Sequence, residues 1–208
     1  MIDSRIKNLL IDFGGVLVDL DMQRCIDHFK ELGCNDLDQL LNMYHQADFL
    51  MSYEKGLITS EEFRKDIRSM IRHTVSDEQI DSAWNSFLVG VPTYKLELLL
   101  QLRQKYNVFL LSNTNELHWE WSCRNAFSYQ KHQVEDFFDR IYLSFEMKMA
   151  KPDPSIFKAV LEDASINPEE TFFIDDSSAN CSTAQALGIS TYTPQAGENW
   201  SHLFDVNR

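Results

Sequence analysis

Three short apolar runs in this chain stop abruptly on polar residues: 6–11 (IKNLLI) on Asp12, 107–111 (NVFLL) on Ser112 and Asn113, and 171–174 (TFFI) on Asp175 and Asp176. Runs of this length and composition read as buried strands. Helical segments alternate with them. Leu96, Leu99, Leu100 and Leu102 share a face of 92–105, Pro154 opens a helix over 154–164, and Gly188 stops another over 178–187. A helix near 116–127 and strands at 141–144 and 189–192 complete the alternation. The pattern predicts an α/β fold with a doubly wound, Rossmann-like parallel sheet. In such a sheet every strand delivers its C-terminal end to one edge. Asp12, Ser112, Asn113, Asp175 and Asp176 are therefore expected in one crevice, although they lie far apart in sequence.

Residues 21–88 break the alternation. They show no strand pattern and read as amphipathic helices at about 22–32, 36–50, 60–72 and 77–88, with Gly33 and Gly56 as stops. Thr59 or Ser60 ahead of Glu61 and Glu62, and the acidic turn at Asp77, mark helix starts. The expectation is a four-helix cap domain, 21–88, inserted into an α/β core of 1–20 and 89–208. Within it, Tyr53, Glu54 and Lys55 read first as an ordinary helix–loop–helix and second as residues that face the site.

A formal charge of −13 over 208 residues argues against a general nucleic-acid binder, which carries basic patches. A local anion site remains compatible with it, because backbone amides, a lysine and a metal outweigh a distant negative field. Cys25, Cys34, Cys123 and Cys181 form no CxxC pair and no zinc spacing, so free thiols in a reducing compartment are expected. With no signal-peptide pattern and no apolar run of membrane length, the chain is expected to be cytoplasmic and to touch no membrane.

The residue types at the shared edge suit phosphoryl chemistry. Mg²⁺ takes oxygen ligands and binds through one or two carboxylates plus substrate phosphate; Asp12, Asp175 and Asp176 can supply the carboxylates. Lys151, in Met149-Ala150-Lys151-Pro152-Asp153-Pro154, would help neutralise a phosphoryl group. Ser112, Asn113 and the amides of the Gly14-Gly15 turn would hydrogen-bond its oxygens. Asp12 could then attack phosphorus to form an aspartyl-phosphate that water hydrolyses. The partner expected is a small phosphorylated molecule.

Four motifs in order resemble the haloacid dehalogenase superfamily over about residues 6–193. Asp12-Phe13-Gly14-Gly15-Val16-Leu17 resembles its first motif, DxDG(T/V)(L), and Leu111-Ser112-Asn113 its second. Lys151-Pro152-Asp153-Pro154 resembles the third, and Phe173-Ile174-Asp175-Asp176, with Asn180 following, the fourth. The stretches Asp12 to Asp21, Tyr53 to Phe63 and Ser112 to His118 are similar to the bacterial α-D-glucose-1-phosphate phosphatase subgroup. The resemblance implies a Mg²⁺-dependent phosphatase with a helical cap, acting on a sugar phosphate such as an α-hexose-1-phosphate.

One position departs from the pattern. The second Asp of the first motif, the family's general acid/base, is Gly14 here. Its backbone carbonyl keeps the metal-binding role that the resemblance implies, and the proton falls to another group, with Asp21 and His118 the candidates ahead of Asp19. His118 is also expected to contact substrate. Two other readings follow from Gly14: a metal-independent 2-haloacid dehalogenase, against which the Asp175-Asp176 pair argues, and a non-catalytic phosphometabolite-binding protein.

Overall fold

The computed structural model describes residues 2–34, 48–71 and 73–204. Its elements begin with β1 (Asn8–Ile11), β2 (Asp19–Leu20), α1 (Met22–Glu31), α2 (Asp48–Glu54), α3 (Ser60–Ser69), α4 (Asp77–Asn85) and β3 (Leu88–Gly90). The chain continues through α5 (Thr93–Leu102), β4 (Asn107–Ser112), α6 (Glu116–Asn125), α7 (Val134–Phe137), β5 (Arg140–Leu143) and α8 (Ser144–Met147). It closes with α9 (Pro154–Asp163), β6 (Thr171–Ile174), α10 (Ser178–Ala186) and β7 (Ser190–Tyr192).

The apolar runs form a parallel five-stranded sheet in the order β5-β4-β1-β6-β7. Successive side chains of a strand face opposite ways, and the packing divides accordingly. Leu9, Ile11, Val108, Leu110, Phe172 and Ile174 join Leu96, Leu99 and Leu102 of α5 in one cluster. Leu10, Phe109, Leu111 and Phe173 join Ile156, Phe157 and Val160 of α9 and Ala184 of α10 in another. Helices thus cover both faces, as a doubly wound α/β sheet requires. The strands line up so that Ile11, Leu110 and Ile174 are neighbours. One residue further along β1, Asp12 donates its backbone N–H to the Ile174 carbonyl at 2.9 Å.

Several boundaries differ from the sequence reading. The expected helix over 77–88 ends at Asn85, and Leu88–Gly90 forms a strand paired antiparallel with Asp19–Leu20. A two-residue ladder is too short to show alternation, which is why no strand was expected there. It ties together the segments leaving and rejoining the sheet, helped by Asp21 N–H donating to Phe87 O at 2.8 Å. Ser144, read as the end of a strand, instead begins α8. Of the helix expected over 36–50, residues 36–47 lie outside the described residues, and α2 runs on to Glu54. No helix among the described residues is long and apolar enough to cross a membrane.

Helices α1–α4 bury a separate cluster around Phe63, with Phe29, Tyr53, Ile67, Ile80 and Trp84. Phe63 stacks on Tyr53 at 4.5 Å and packs tilted on Trp84 at 4.9 Å between ring centroids. Thr59 and Glu62 close a reciprocal capping box at the start of α3. Because Phe63 is fully buried, we expect Phe63→Ala to cost about 3–5 kcal/mol in urea denaturation, whereas a loss under about 1 kcal/mol would mean that this cluster is loosely packed.

Candidate active site

Lys151 is the centre of the polar edge. Its ammonium donates to Asp12 Oδ1 at 2.7 Å, Asp175 Oδ2 at 2.6 Å and the Leu111 carbonyl at 3.0 Å. All three N–H groups are used, and the side chain is almost wholly buried. Burial alone would lower the Lys151 pKa, but the Asp12 and Asp175 carboxylates outweigh it and hold the ammonium above its ordinary value. Burial raises the Asp12 carboxyl, Lys151 pulls it back, and Asp175 adds to the rise. The ion pair keeps Asp12 in one orientation.

Asn113 positions the backbone of that lysine. Its Nδ2 donates to Lys151 O at 2.8 Å and its Oδ1 accepts from Lys151 N–H at 2.9 Å. The sequence places Asn113 on phosphate oxygens; both ends of its side-chain amide are committed to Lys151, so that contact falls to its backbone N–H. Ser112 is buried and makes a long bond, 3.3 Å, to the Asn113 carbonyl.

Asp12, Asp175 and Asp176 offer oxygens within 4.8 Å of one another. With Lys151 beside them the formal charge is −3 + 1 = −2, and an all-oxygen, anionic donor set suits Mg²⁺. The two adjacent aspartates are not equivalent, however. Asp175 Oδ1 accepts from Ser177 N–H at 2.8 Å and Asn180 Nδ2 at 3.0 Å, and Oδ2 accepts from Lys151 and from Asn180 Nδ2. A carboxylate has about four lone-pair sites, and those of Asp175 are filled. The sequence leaves open whether Asp175 ligates a metal directly or supports one from behind; here Asp12 and Asp176 remain available, and Asp175 holds Lys151. Asp176 itself is exposed.

The two glycines of the first turn differ as well. Gly15 has φ +73°, and an added Cβ would overlap Asp176 Oδ2. Gly14 has no such constraint, since a Cβ there meets only Leu20 Cδ1 at 3.5 Å. Glycine at 14 is a chemical absence with room for a side chain.

The proton candidates are placed elsewhere. Asp21 caps α1 by accepting from Arg24 N–H, and Asp19 pairs with Lys95 at 3.4 Å. His118 touches the cavity, but its ring stacks on Trp84 at 4.6 Å and both nitrogens are engaged, Nε2 with Trp84 O and Nδ1 with Asn115. Burial pushes its pKa down to about 4 despite the Trp84 carbonyl, so the ring is neutral near pH 7. The expectation of His118 as proton donor or substrate ligand is corrected by these commitments. A cavity of about 240 Å³ spans Asp12, Gly14, Ser112, Lys151 and Asp176 and is closed on another side by Glu54 of α2. The sequence offers Tyr53, Glu54 and Lys55 as residues facing the site, behind the reading of an ordinary helix–loop–helix; of the three, Glu54 lines this cavity.

A family model for haloacid dehalogenase-like hydrolases matches residues 6–188. A D-ribitol-5-phosphate phosphatase of Bacteroides thetaiotaomicron is 37% identical over 201 residues, covering 97% of this chain and 98% of that protein. A HAD family enzyme from the same organism, solved with magnesium and inorganic phosphate, is 62% identical with TM-score 0.92, over 96% of this chain and 99% of that one. An L-2-haloacid dehalogenase of Xanthobacter autotrophicus, 19% identical with TM-score 0.61 over 89% of this chain and 76% of that one, shares the fold.

The glycine geometry separates two small substitutions. Gly15→Ala should destabilise by about 1–3 kcal/mol from the left-handed backbone alone, and Gly14→Ala should be neutral or stabilise by about 0.4–1 kcal/mol. Urea denaturation of the two side by side checks this, and equal effects would refute the distinction.

Proposed function

The chain belongs to the haloacid dehalogenase-like hydrolase family, and from that premise we propose that it is a Mg²⁺-dependent phosphatase acting on a small sugar or polyol phosphate. The observation that carries this reading is the buried Asp12 carboxylate, oriented by Lys151 at the floor of a cavity that also contains Asp176. Asp12, Asp176 and the carbonyl of Gly14 would hold Mg²⁺, which when bound supplies charge neutralisation to the phosphoryl group.

The chain's own residues do the rest. Lys151 fixes one oxygen of Asp12, and the other attacks phosphorus. The P–O ester bond breaks, the alcohol departs, and an aspartyl-phosphate remains for water to hydrolyse. Ser112 and the amides of the Gly14-Gly15 turn bind the phosphoryl oxygens. Asp175, Asn180 and Asn113 keep Lys151 in place.

Two substrate classes stand side by side. The resemblance of the sequence to the glucose-1-phosphatase subgroup supports an α-hexose-1-phosphate, and the likeness to a ribitol-5-phosphate phosphatase supports a polyol phosphate. The four free cysteines support a cytoplasmic location. Gly14 favours one competing reading, a protein that binds a phosphometabolite without turnover.

Phosphate release from a panel containing D-ribitol-5-phosphate, α-D-glucose-1-phosphate and p-nitrophenyl phosphate tests the proposal. We expect release that needs Mg²⁺, stops with chelator and falls to background in Asp12→Asn. Halide release from 2-haloacids without metal would replace the reading with a dehalogenase. Mg²⁺-dependent binding without release would replace it with the binding protein.

A further inference from the structure

The departing alcohol needs a proton, because an alkoxide is too basic to leave unprotonated at neutral pH. Gly14 has no side chain to give one. Among the cavity-lining groups, Asp12 is the nucleophile, every N–H of Lys151 is occupied, and Asp176 belongs to the cation site. Both nitrogens of His118 are engaged. Asp21 and Asp19 serve as a helix cap and a partner for Lys95.

Glu54 is left. It is the last residue of α2 and lines the same cavity as Gly14, and its carboxylate accepts no hydrogen bond from a described residue. Its backbone is held on the sheet side of the cavity: Ser144 Oγ donates to Glu54 O at 2.5 Å and is itself the acceptor for Thr114 N–H at 3.0 Å. Two residues on, Gly56 sits so close to the Phe145 carbonyl that a Cβ would overlap it, and Lys148 Nζ donates to Gly56 O at 2.6 Å. Tyr53, the preceding residue, bonds Ser60 Oγ at 2.8 Å. A side chain anchored on both flanks and unpartnered at its tip is placed to serve the ligand.

Resting on the phosphatase reading, we propose that Glu54 is the general acid/base of this enzyme and does from the helical segment what the missing side chain at Gly14 would do from the first turn. As Asp12 attacks, the electron pair of the breaking P–O bond goes to the ester oxygen, and that oxygen takes the proton of the Glu54 carboxyl. Glu54 is left as carboxylate. It then accepts a proton from the water that attacks the aspartyl-phosphate, which frees inorganic phosphate and restores both side chains. Burial raises the Glu54 pKa to about 7 against the opposing charge of Lys151, which suits a group that must both give and take a proton near neutrality.

The test compares wild type with Glu54→Gln on p-nitrophenyl phosphate and on whichever of D-ribitol-5-phosphate and α-D-glucose-1-phosphate the wild type cleaves faster. The readout is kcat/KM, which covers steps up to departure of the alcohol and excludes hydrolysis of the aspartyl-phosphate. A nitrophenolate leaves without protonation and an alkoxide does not. We expect a loss of about 10²–10⁴-fold on the alkyl ester and a change of less than about fivefold on the nitrophenyl ester, whose retained kcat/KM also shows that the variant is folded. The alkyl ester should further lose kcat/KM as pH rises through about 7, a limb absent from Glu54→Gln. Asp12, Asp176, Lys151 and His118 face the same cavity, but they are present for both esters and cannot produce a difference between them. Equal losses on both esters, or no loss on either, would overturn the proposal. So would wild type that cleaves only the nitrophenyl ester, while leaving the phosphatase reading intact. Release from none of the three esters would overturn both.

Discussion

A single buried ammonium ties this structure together. Lys151 bonds Asp12 after β1, the Leu111 carbonyl within β4 and Asp175 after β6, so one side chain joins the ends of three adjacent strands. Moving charges out of water costs several kcal/mol per ion, and only good geometry with every donor satisfied offsets it. Both conditions hold for the lysine and for Asp175. The register of the sheet and the alignment of the site are therefore one constraint, because a shifted strand would leave a buried charge without its partner. Asn113 extends the constraint by fixing the lysine's backbone as well as its charge.

The parallel sheet and the convergence of its polar strand ends were legible in the sequence. Buried strands give unbroken apolar runs, and parallel topology leaves one edge for whatever follows them. Residue type also identified Asp12, Lys151 and Asp176 as a set that the fold brings together. What could not be read was which partner takes which lone pair. Asp175 and Asp176 are identical letters, yet one has every acceptor site filled and the other is exposed. Asn113 and His118 look like ligands by type and prove to be committed to Lys151 and Trp84, contacts made across 38 and 34 positions. Glu54 stands in the sequence only as one of three adjacent residues, Tyr53 to Lys55, that either face the site or belong to an ordinary helix–loop–helix, since its placement lies in how α2 meets α8 and the loop after β4.

The helical segment and the sheet contribute to the cavity in different ways. Strand ends supply rigid, mutually satisfied charges, as expected where side chains follow buried ladders. The helices supply an apolar cluster around Phe63 and one carboxyl group at the end of α2. The strand pair β2–β3 joins the helical segment to the rest of the chain, and Tyr53, through Ser60 and Glu116, links the helical cluster to the start of α6.

The contact of Gly56 with Phe145 has a mechanical meaning. It is main chain resting on main chain, with no rotamer on either side to flex or compensate. Side chains that seat one body on another can yield by a few tenths of an ångström through torsion, whereas two backbones in contact form a hard stop. The reach of the Glu54 carboxyl into the cavity is thereby set by a fixed bearing surface two residues away. Tolerance at this joint is transferred from side-chain packing to covalent geometry, the stiffest part a protein has.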